Sequence, residues 1–437
     1  MQGTPRPSRI STKLQRIAEL AKKSPGMAFT TLAHHIDVEF LKEAYRRTRK
    51  DGAVGVDEQS SKEYAANLQS NLESLLERFK TGSYKAPPVL RVQIPKGKDK
   101  TRPIGIPTFE DKILQRAVAM ILEAVYEQDF LDCSYGFRPR RSAHQALDEL
   151  GNNLMKFRGG WIIEVDIQGY FDAISHSHLR DILDQRVRDG VLRRTINKWL
   201  KAGVMENGNI RYPKSGSPQG GVISPILSNI FLHEVLDKWF EQEVKKRLKA
   251  SSTLIRYADD VVIVCASKED AVRIMEVLPK RLSRFDLKLH PTKTTMLDFR
   301  KPRRDEHGGP GSFTFLGFTH YWGKSRKGKR IVKRKTSKDS LSRAISSIAM
   351  WCKKHRHWKM PQQHWALSIR LRGHYNYFGV TGNYESLHAF FEAVKRVWQK
   401  WLTRRHGRRT MKWDKFNRVL ERYVLPPPII AHSIYKT

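Results

Sequence analysis

The stretch Tyr257-Ala258-Asp259-Asp260 constrains this chain more than any other. Leu254-Ile255 precede it and Val261-Val262-Ile263-Val264 follow it. Two short β-branched runs joined by a tight polar turn predict a β-hairpin with two carboxylates at its tip. Adjacent carboxylates repel, and a shared divalent cation removes most of that penalty because the ion becomes the largest local charge. An Asp-Asp pair in a solvated turn would need no metal. A third carboxylate in a matching setting, Asp166, argues for one. It closes Trp161-Ile162-Ile163-Glu164-Val165-Asp166-Ile167, which reads as a buried strand running out to an acidic end. Two such strands side by side can hold two hard cations, roughly 3.5–4 Å apart, that clamp the attacking and leaving oxygens of a phosphoryl displacement. Phosphoryl transfer asks mainly for positioning and charge neutralisation, so carboxylates and basic side chains suffice.

Between the two strands lies Ser217-Pro218-Gln219-Gly220-Gly221. In this order the three motifs resemble reverse transcriptases, and the set is similar to the reverse transcriptase–maturases encoded inside group II introns, from about Leu41 to the C-terminus. The resemblance implies an α+β right-hand polymerase with fingers, a palm carrying an antiparallel sheet, and a helical thumb (maturase domain X). It implies RNA-directed DNA polymerisation with two Mg2+ ions on Asp166, the backbone carbonyl of Ile167, Asp259 and Asp260. It further implies binding of the group II intron RNA to assist splicing, and retrohoming into a target DNA by reverse transcription from dNTPs on an RNA template with a DNA primer. Two other readings stand beside it: a polymerase-fold splicing cofactor that does not polymerise, and a retron- or defence-type reverse transcriptase. The intact carboxylate set speaks against the first, since a binding module gains nothing from that repulsion.

Composition agrees with a polyanionic partner. Among 437 residues, 81 Lys+Arg face 44 Asp+Glu, a formal charge of +37 that would repel itself unless neutralised. No amphipathic basic anchor, lipidation motif, signal-peptide core or membrane-spanning apolar run is visible, so nucleic acid is the expected partner and a bacterial cytoplasmic, nucleoid-associated location the expectation. Cys133, Cys265 and Cys352 are widely spaced and odd in number, which fits reduced structural thiols. His355 and His357, in a Lys/Arg-rich run, read as solvated. Gly323 to Arg330 nearly spells a P-loop, but Arg330 stands where Ser or Thr must meet the magnesium, and no buried strand leads in.

In chain order, residues 1–24 read as a basic N-terminal arm with a short helix over Leu14, Ile17, Ala18 and Leu20. Residues 25–90 read as a helical fingers extension, broken by the Asp51–Asp57 loop; in the family its Gly55-Val56-Asp57 turn touches RNA. Residues 91–320 are the fingers and palm. Lys96 and Arg102, flanking a basic turn, could grip a triphosphate, Arg as a fork of donors and Lys as a point charge. Asp111 to Val125 and Ala143 to Leu154 have helical periodicity. Between them, the Gly136-Phe137-Arg138-Pro139 run also occurs in the family, on its template path, and makes Arg138, Arg140 and Arg141 RNA-binding candidates, aromatics and Arg together suiting base stacking. The resemblance puts Phe171 under the nucleotide sugar, where it excludes a 2′-hydroxyl, and Gln219 beside the nucleotide; Asp172 reads as a helix cap. Pro225 is tolerated in the first turn of the next helix. Leu287 to His290 reads as a strand, with His290 where the family often has Asn. Lys293 matches a lysine near the leaving pyrophosphate, able to act as general acid. Leu316 and Gly317 resemble the primer grip.

Residues 321–437 concentrate the charge, with 28 Lys+Arg against 5 Asp+Glu. Leu341, Ile345, Ile348 and Cys352 form one apolar stripe behind a Ser337 cap, and Val394, Val397, Trp398 and Leu402 another. A basic helical bundle with exposed aromatics suits structured RNA. Arg372, Arg404, Arg405, Arg408 and Arg409 are the RNA-binding candidates here. No His-Asn-His-type nuclease module follows in the sequence, so second-strand cleavage is not expected of it.

Overall fold

The computed structural model describes residues 9–95, 101–206, 209–212, 215–216, 220–302, 311–325, 327–405 and 411–433. It divides into two compact units, Met1–Leu297 and Asp298–Thr437. The β-hairpin around Leu316-Gly317, expected at the end of the palm, therefore belongs with the basic helices.

The first unit opens with α1 (Arg9–Lys23), which is no detached arm. Ile17 and Ala21 are buried and the helix packs on α5, while Leu20 faces outward. Helices α2 (Val38–Arg47), α3 (Ser61–Ala66) and α4 (Leu68–Thr81) follow. Asp37 caps α2 by accepting from Phe40 N, and Ser60 with Glu63 forms a capping box on α3, satisfying first-turn amides that the helices cannot. Gly55 has a packing reason of its own: a Cβ there would stand 2.6 Å from Thr108 Cα. Strands β1 (Val89–Pro95) and β2 (Thr101–Ile106) form an antiparallel hairpin. Helix α5 (Phe109–Tyr126), where helical periodicity is expected over Asp111 to Val125, is buried on nearly all sides, as befits a helix at the centre of a large core.

Helix α6 (Ala143–Lys156) leads to β3 (Trp161–Val165), then α7 (Tyr170–Ala173), α8 (His176–Asp184) and α9 (Gly190–Leu200). Asp172 caps nothing: it lies inside α7, and the residue before α8 is Ser175. Strands β4 (Val204–Glu206) and β5 (Asn209–Arg211) extend the first hairpin into a sheet ordered β2-β1-β4-β5. Helix α10 (Ser224–Leu232) carries Pro225 in its first turn, as expected, and runs on into π-helical turns over His233–Asp237 and Phe240–Val244. Strands β6 (Ser252–Tyr257) and β7 (Asp260–Cys265), helix α11 (Lys268–Ser283) and β8 (Thr295–Asp298) complete the unit. Here the sheet is ordered β6-β7-β3-β8. Leu287 to His290 is not a strand of it; Leu289 makes a single antiparallel bridge to Ile167, and the regular edge strand comes later, at β8.

The second unit has a three-stranded antiparallel sheet of β9 (Phe313–Phe315), β10 (Phe318–Lys324) and β11 (Arg330–Thr336). Of the near-P-loop run, Gly323 and Lys324 thus end β10 and Arg330 begins β11. Helices α12 (Lys338–Lys354), α13 (Met360–Phe378), α14 (Tyr384–Thr403) and α15 (Trp413–Arg422) bury a core with Ile348, Cys352, Val394, Trp398 and Leu402. Ser337 caps α12 through Ser340 N. His355 is not simply solvated: its ring lies 4.9 Å from that of Trp351 and 4.2 Å from that of Trp358. No described helix is long and apolar enough to cross a membrane.

Candidate active site

Four β-branched residues, Val261 to Val264, make β7 a central strand buried from Val261 on, paired on one side with β6 and on the other with β3. In the β3–β7 register Val165 faces Val261. One further step of that register brings Asp166 opposite Asp260. Tyr257 pairs with Asp260 across the β6–β7 turn, leaving Ala258 and Asp259 as its two central residues. Asp166, Asp259 and Asp260 therefore come from adjoining ends of neighbouring strands. Asp259 is half-buried and Asp260 exposed.

The backbone of Asp166 is pinned from both directions. Its carbonyl accepts from His290 N at 2.8 Å and from Thr294 Oγ1 at 3.2 Å, and its N–H donates to Thr294 Oγ1 at 3.3 Å. His290 Nδ1 accepts from Thr292 N at 3.3 Å, the two-residue turn bond that an Asn would make, so the His keeps the local geometry. On the same turn Lys293 sends its ammonium to within 3.1 Å of Asp166 Oδ2. Among the described residues no three His, Cys, Asp or Glu side chains are gathered closely enough to enclose a metal. What stands at Asp166 is the Lys293 cation. A position that accepts an ammonium, within an all-oxygen carboxylate set, has the donor chemistry of a hard divalent ion.

The remaining candidates divide. Ile167 is buried beside Asp166. Phe171 is half-buried on α7, with its ring 5.3 Å from that of Tyr170, whose hydroxyl donates to Ser228 O at 2.9 Å. Arg102 is exposed on β2, across from Ile94. Lys96, Gln219, Arg408 and Arg409 lie outside the described residues. The end of the Gln219 loop is fixed nonetheless. Gln115 Oε1, buried on α5, accepts from Val222 N at 2.8 Å, and a Cβ on Gly220 would meet Gly105 O at 2.4 Å.

Arg138 needs correction as an RNA contact. It is buried, donates to both carboxylate oxygens of Glu127 and to the carbonyls of Leu131 and Ser134, and so holds the loop before α6 together. Arg140 is exposed, while Arg141 pairs with Asp132 and lies over the Tyr135 ring. In the second unit Leu316 and Gly317 are the central residues of the β9–β10 turn. Arg372 is exposed on α13, and the Arg404 guanidinium lies 5.2 Å over the Trp401 ring. Arg405 reaches the His357 carbonyl at 3.4 Å.

Sequence reasoning passed over Arg256, which is wholly buried immediately before the turn and bound to Asp237 and Asn229. The signal was present: a charged residue between Ile255 and the turn, in a strand whose neighbours leave no solvent face.

Residues 94–320 match the family model "Reverse transcriptase (RNA-dependent DNA polymerase)". The chain is 34% identical to Protein YkfC of Escherichia coli over 58% of this chain and 75% of that protein. It is 28% identical to the Group II intron-encoded protein LtrA of Lactococcus lactis, over 90% of this chain and 78% of that protein. Nuclear intron maturase 4, mitochondrial, of Arabidopsis thaliana is 26% identical over 44% of this chain and 23% of its own length. The ordered carboxylate strands, the matched domain and a relative spanning nearly the whole chain agree: this protein belongs to the reverse transcriptases, the RNA-dependent DNA polymerases, and within them to the group II intron-encoded reverse transcriptase–maturases.

Proposed function

We propose that Asp166, Asp259 and Asp260 hold two Mg2+ ions and that this centre adds deoxynucleoside triphosphates to a DNA primer along an RNA template. The single observation that carries the reading is the β3–β7 register, which sets the strand end bearing Asp166 against the turn bearing Asp259 and Asp260. Bound there, such ions would activate the primer 3′-hydroxyl and neutralise charge developing on the phosphates. The carboxylates orient the reacting groups, with the Ile167 carbonyl as a further oxygen donor. Lys293, once drawn off Asp166, carries a proton to the leaving pyrophosphate, the role of a general acid. Lys96 and Arg102 grip the triphosphate, Phe171 lies under the sugar, Gln219 meets the nucleotide, and Leu316-Gly317 supports the primer. Arg140, Arg141, Arg372, Arg404, Arg405, Arg408 and Arg409 contact intron RNA, and target DNA is the destination of the copy. We place this work in the bacterial cytoplasm, at the nucleoid.

Primer extension by the purified protein on an RNA template, with dNTPs and magnesium, tests the reading beside Asp259→Ala. Extension by the wild type with a loss of about 10³-fold or more in the variant is the expected result. Equal rates would remove Asp259 from the metal set. Tight, salt-sensitive RNA binding without extension in either protein would leave a splicing cofactor that does not polymerise.

A further inference from the structure

Arg256 is fully buried, and a buried guanidinium is tolerated only when its donors are satisfied. Nε and Nη2 donate to the two carboxylate oxygens of Asp237 at 2.8 and 2.6 Å, a bidentate pair that is itself wholly buried. Nη1 donates to Asn229 Oδ1 at 2.9 Å and to the carbonyl of Ala258, inside the Asp259 turn, at 3.1 Å. Asn229 Nδ2 in turn donates to Gly136 O at 2.8 Å. Gly136 lies directly against the turn, where a Cβ would stand 2.3 Å from Ala258 N. The segment around it is laced to β6: Arg256 N donates to Cys133 O and Tyr135 N to Arg256 O, both at 2.8 Å.

The helix supplying the acceptors is shaped for them. Asp237 comes eight residues after Asn229, which in a regular α-helix would turn it about 80° away. The π-helical turn over His233–Asp237 absorbs about one residue and returns Asp237 to the face of Asn229. Ala258 needs such support. Its φ of 57° is a left-handed conformation that a non-glycine residue holds only when its surroundings impose it.

We infer that Arg256, Asp237 and Asn229 are positioning residues for nucleotidyl transfer: together they clamp the Ala258 carbonyl and so fix where Asp259 and Asp260 point. A stabilising ion pair alone would not need the links to Ala258 and Gly136. The inference rests on the proposed metal role of Asp259, and amide exchange in metal-free protein reads the clamp without that role.

The test is Arg256→Met/Asp237→Leu, which replaces the pair by apolar side chains of similar size, a change that buried ion pairs often tolerate without loss of stability. Asn229→Ala runs beside it, keeping the ion pair and the direct Arg256 bond to the Ala258 carbonyl and removing only the bridge through Asn229 to Gly136. In the folded double variant, amides of Tyr257–Val261 are expected to exchange at least tenfold faster. Extension kcat should fall at least tenfold, with KM for primer–template and RNA affinity unchanged and a higher magnesium midpoint. Asn229→Ala should show the same pattern at smaller size. Faster exchange with unchanged kcat would uphold the clamp and count against the metal role of Asp259. Wild-type exchange and turnover in whichever of the two variants folds would overturn the inference.

Discussion

Two hairpins, β6–β7 in the first unit and β9–β10 in the second, each close on two central residues and hold the turn by different means. In β9–β10 the central residues Leu316 and Gly317 have φ of 49° and 79°, the pair of positive values that suits the twist of a tight hairpin. Glycine supplies one of them without strain. Neighbours then add ordinary bonds: Tyr377 Oη donates to Leu316 O at 3.0 Å, and Ser337 N to Gly317 O at 2.9 Å. In β6–β7 the central pair is Ala258-Asp259, and the alanine takes the positive φ. No glycine of that pair takes the positive φ freely, and the next residue adds a second carboxylate. The turn is held from beneath by a buried arginine. A hairpin that offers backbone can specify itself; one that offers adjacent carboxylates must be specified by the fold around it.

The sharpest way to break this comparison is to empty each tip of what distinguishes it. Asp259→Ala should cost about 10³-fold or more in primer extension while thermal stability stays within about 0.5 kcal/mol, because it removes a half-buried charge from a repelling pair. A large stability loss would mean that Asp259 helps to hold its own turn.

Acid should separate the hairpins next. Arg256 on β6 is charged throughout the working range. His320 on β10 is buried against Phe313, and burial first, then the nearby Arg334 charge, lowers its pKa to about 3. A depressed histidine pKa means that the unfolded chain takes up the proton first, so stability is intact above about pH 6.5 and is lost as pH falls below it. At pH 5 the loss from this one group is about 2 kcal/mol. His320→Phe should flatten that part of the pH–stability profile, read by denaturant unfolding of the full chain between pH 7 and 5. An unchanged slope would show that the ring is protonated in the fold.

These contrasts explain what the sequence discloses and what it withholds. The hairpin bearing Asp259 and Asp260, the strand before Asp166 and most helices are legible because period and β-branching act locally, and Ser337 and Pro225 sit where capping chemistry puts them. The clamp is illegible because it is long-range. Asp237 is 19 residues from Arg256, on a helix whose π-helical turn no residue pattern announces. The same limit hid the docking of α1, since Ile17 and Ala21 look like any weak amphipathic stripe until α5 covers them. Arg138 misled for the converse reason: a basic loop reads as a nucleic-acid contact, and only the position of Glu127 turns it inward. Asp172 likewise looked like a cap, but the chain makes one short helix before the one it would have started.

Gly317→Ala measures how far the second turn depends on its glycine. The φ of 79° and a Cβ only 3.1 Å from Ser340 Oγ predict a loss of about 1–2 kcal/mol, read as a lower unfolding midpoint. A neutral result would mean that the Tyr377 and Ser337 bonds alone set the turn.

Ala258→Gly is the smallest change and the finest probe of the difference. Glycine relieves the strained φ in the folded state and adds backbone freedom to the unfolded one, two effects of similar size and opposite sign. Net stability should therefore move by less than about 0.5 kcal/mol. If the clamp determines the position of the carbonyl, the turn keeps its place and extension falls only a few-fold, from the added freedom of Asp259. If instead the alanine methyl, packed in a site only 5% exposed, is what locks the tip, Ala258→Gly should reproduce the full loss expected of the Arg256→Met/Asp237→Leu variant. Placing the two variants side by side in one extension assay decides between the buried guanidinium and the buried methyl as the origin of the tip's rigidity.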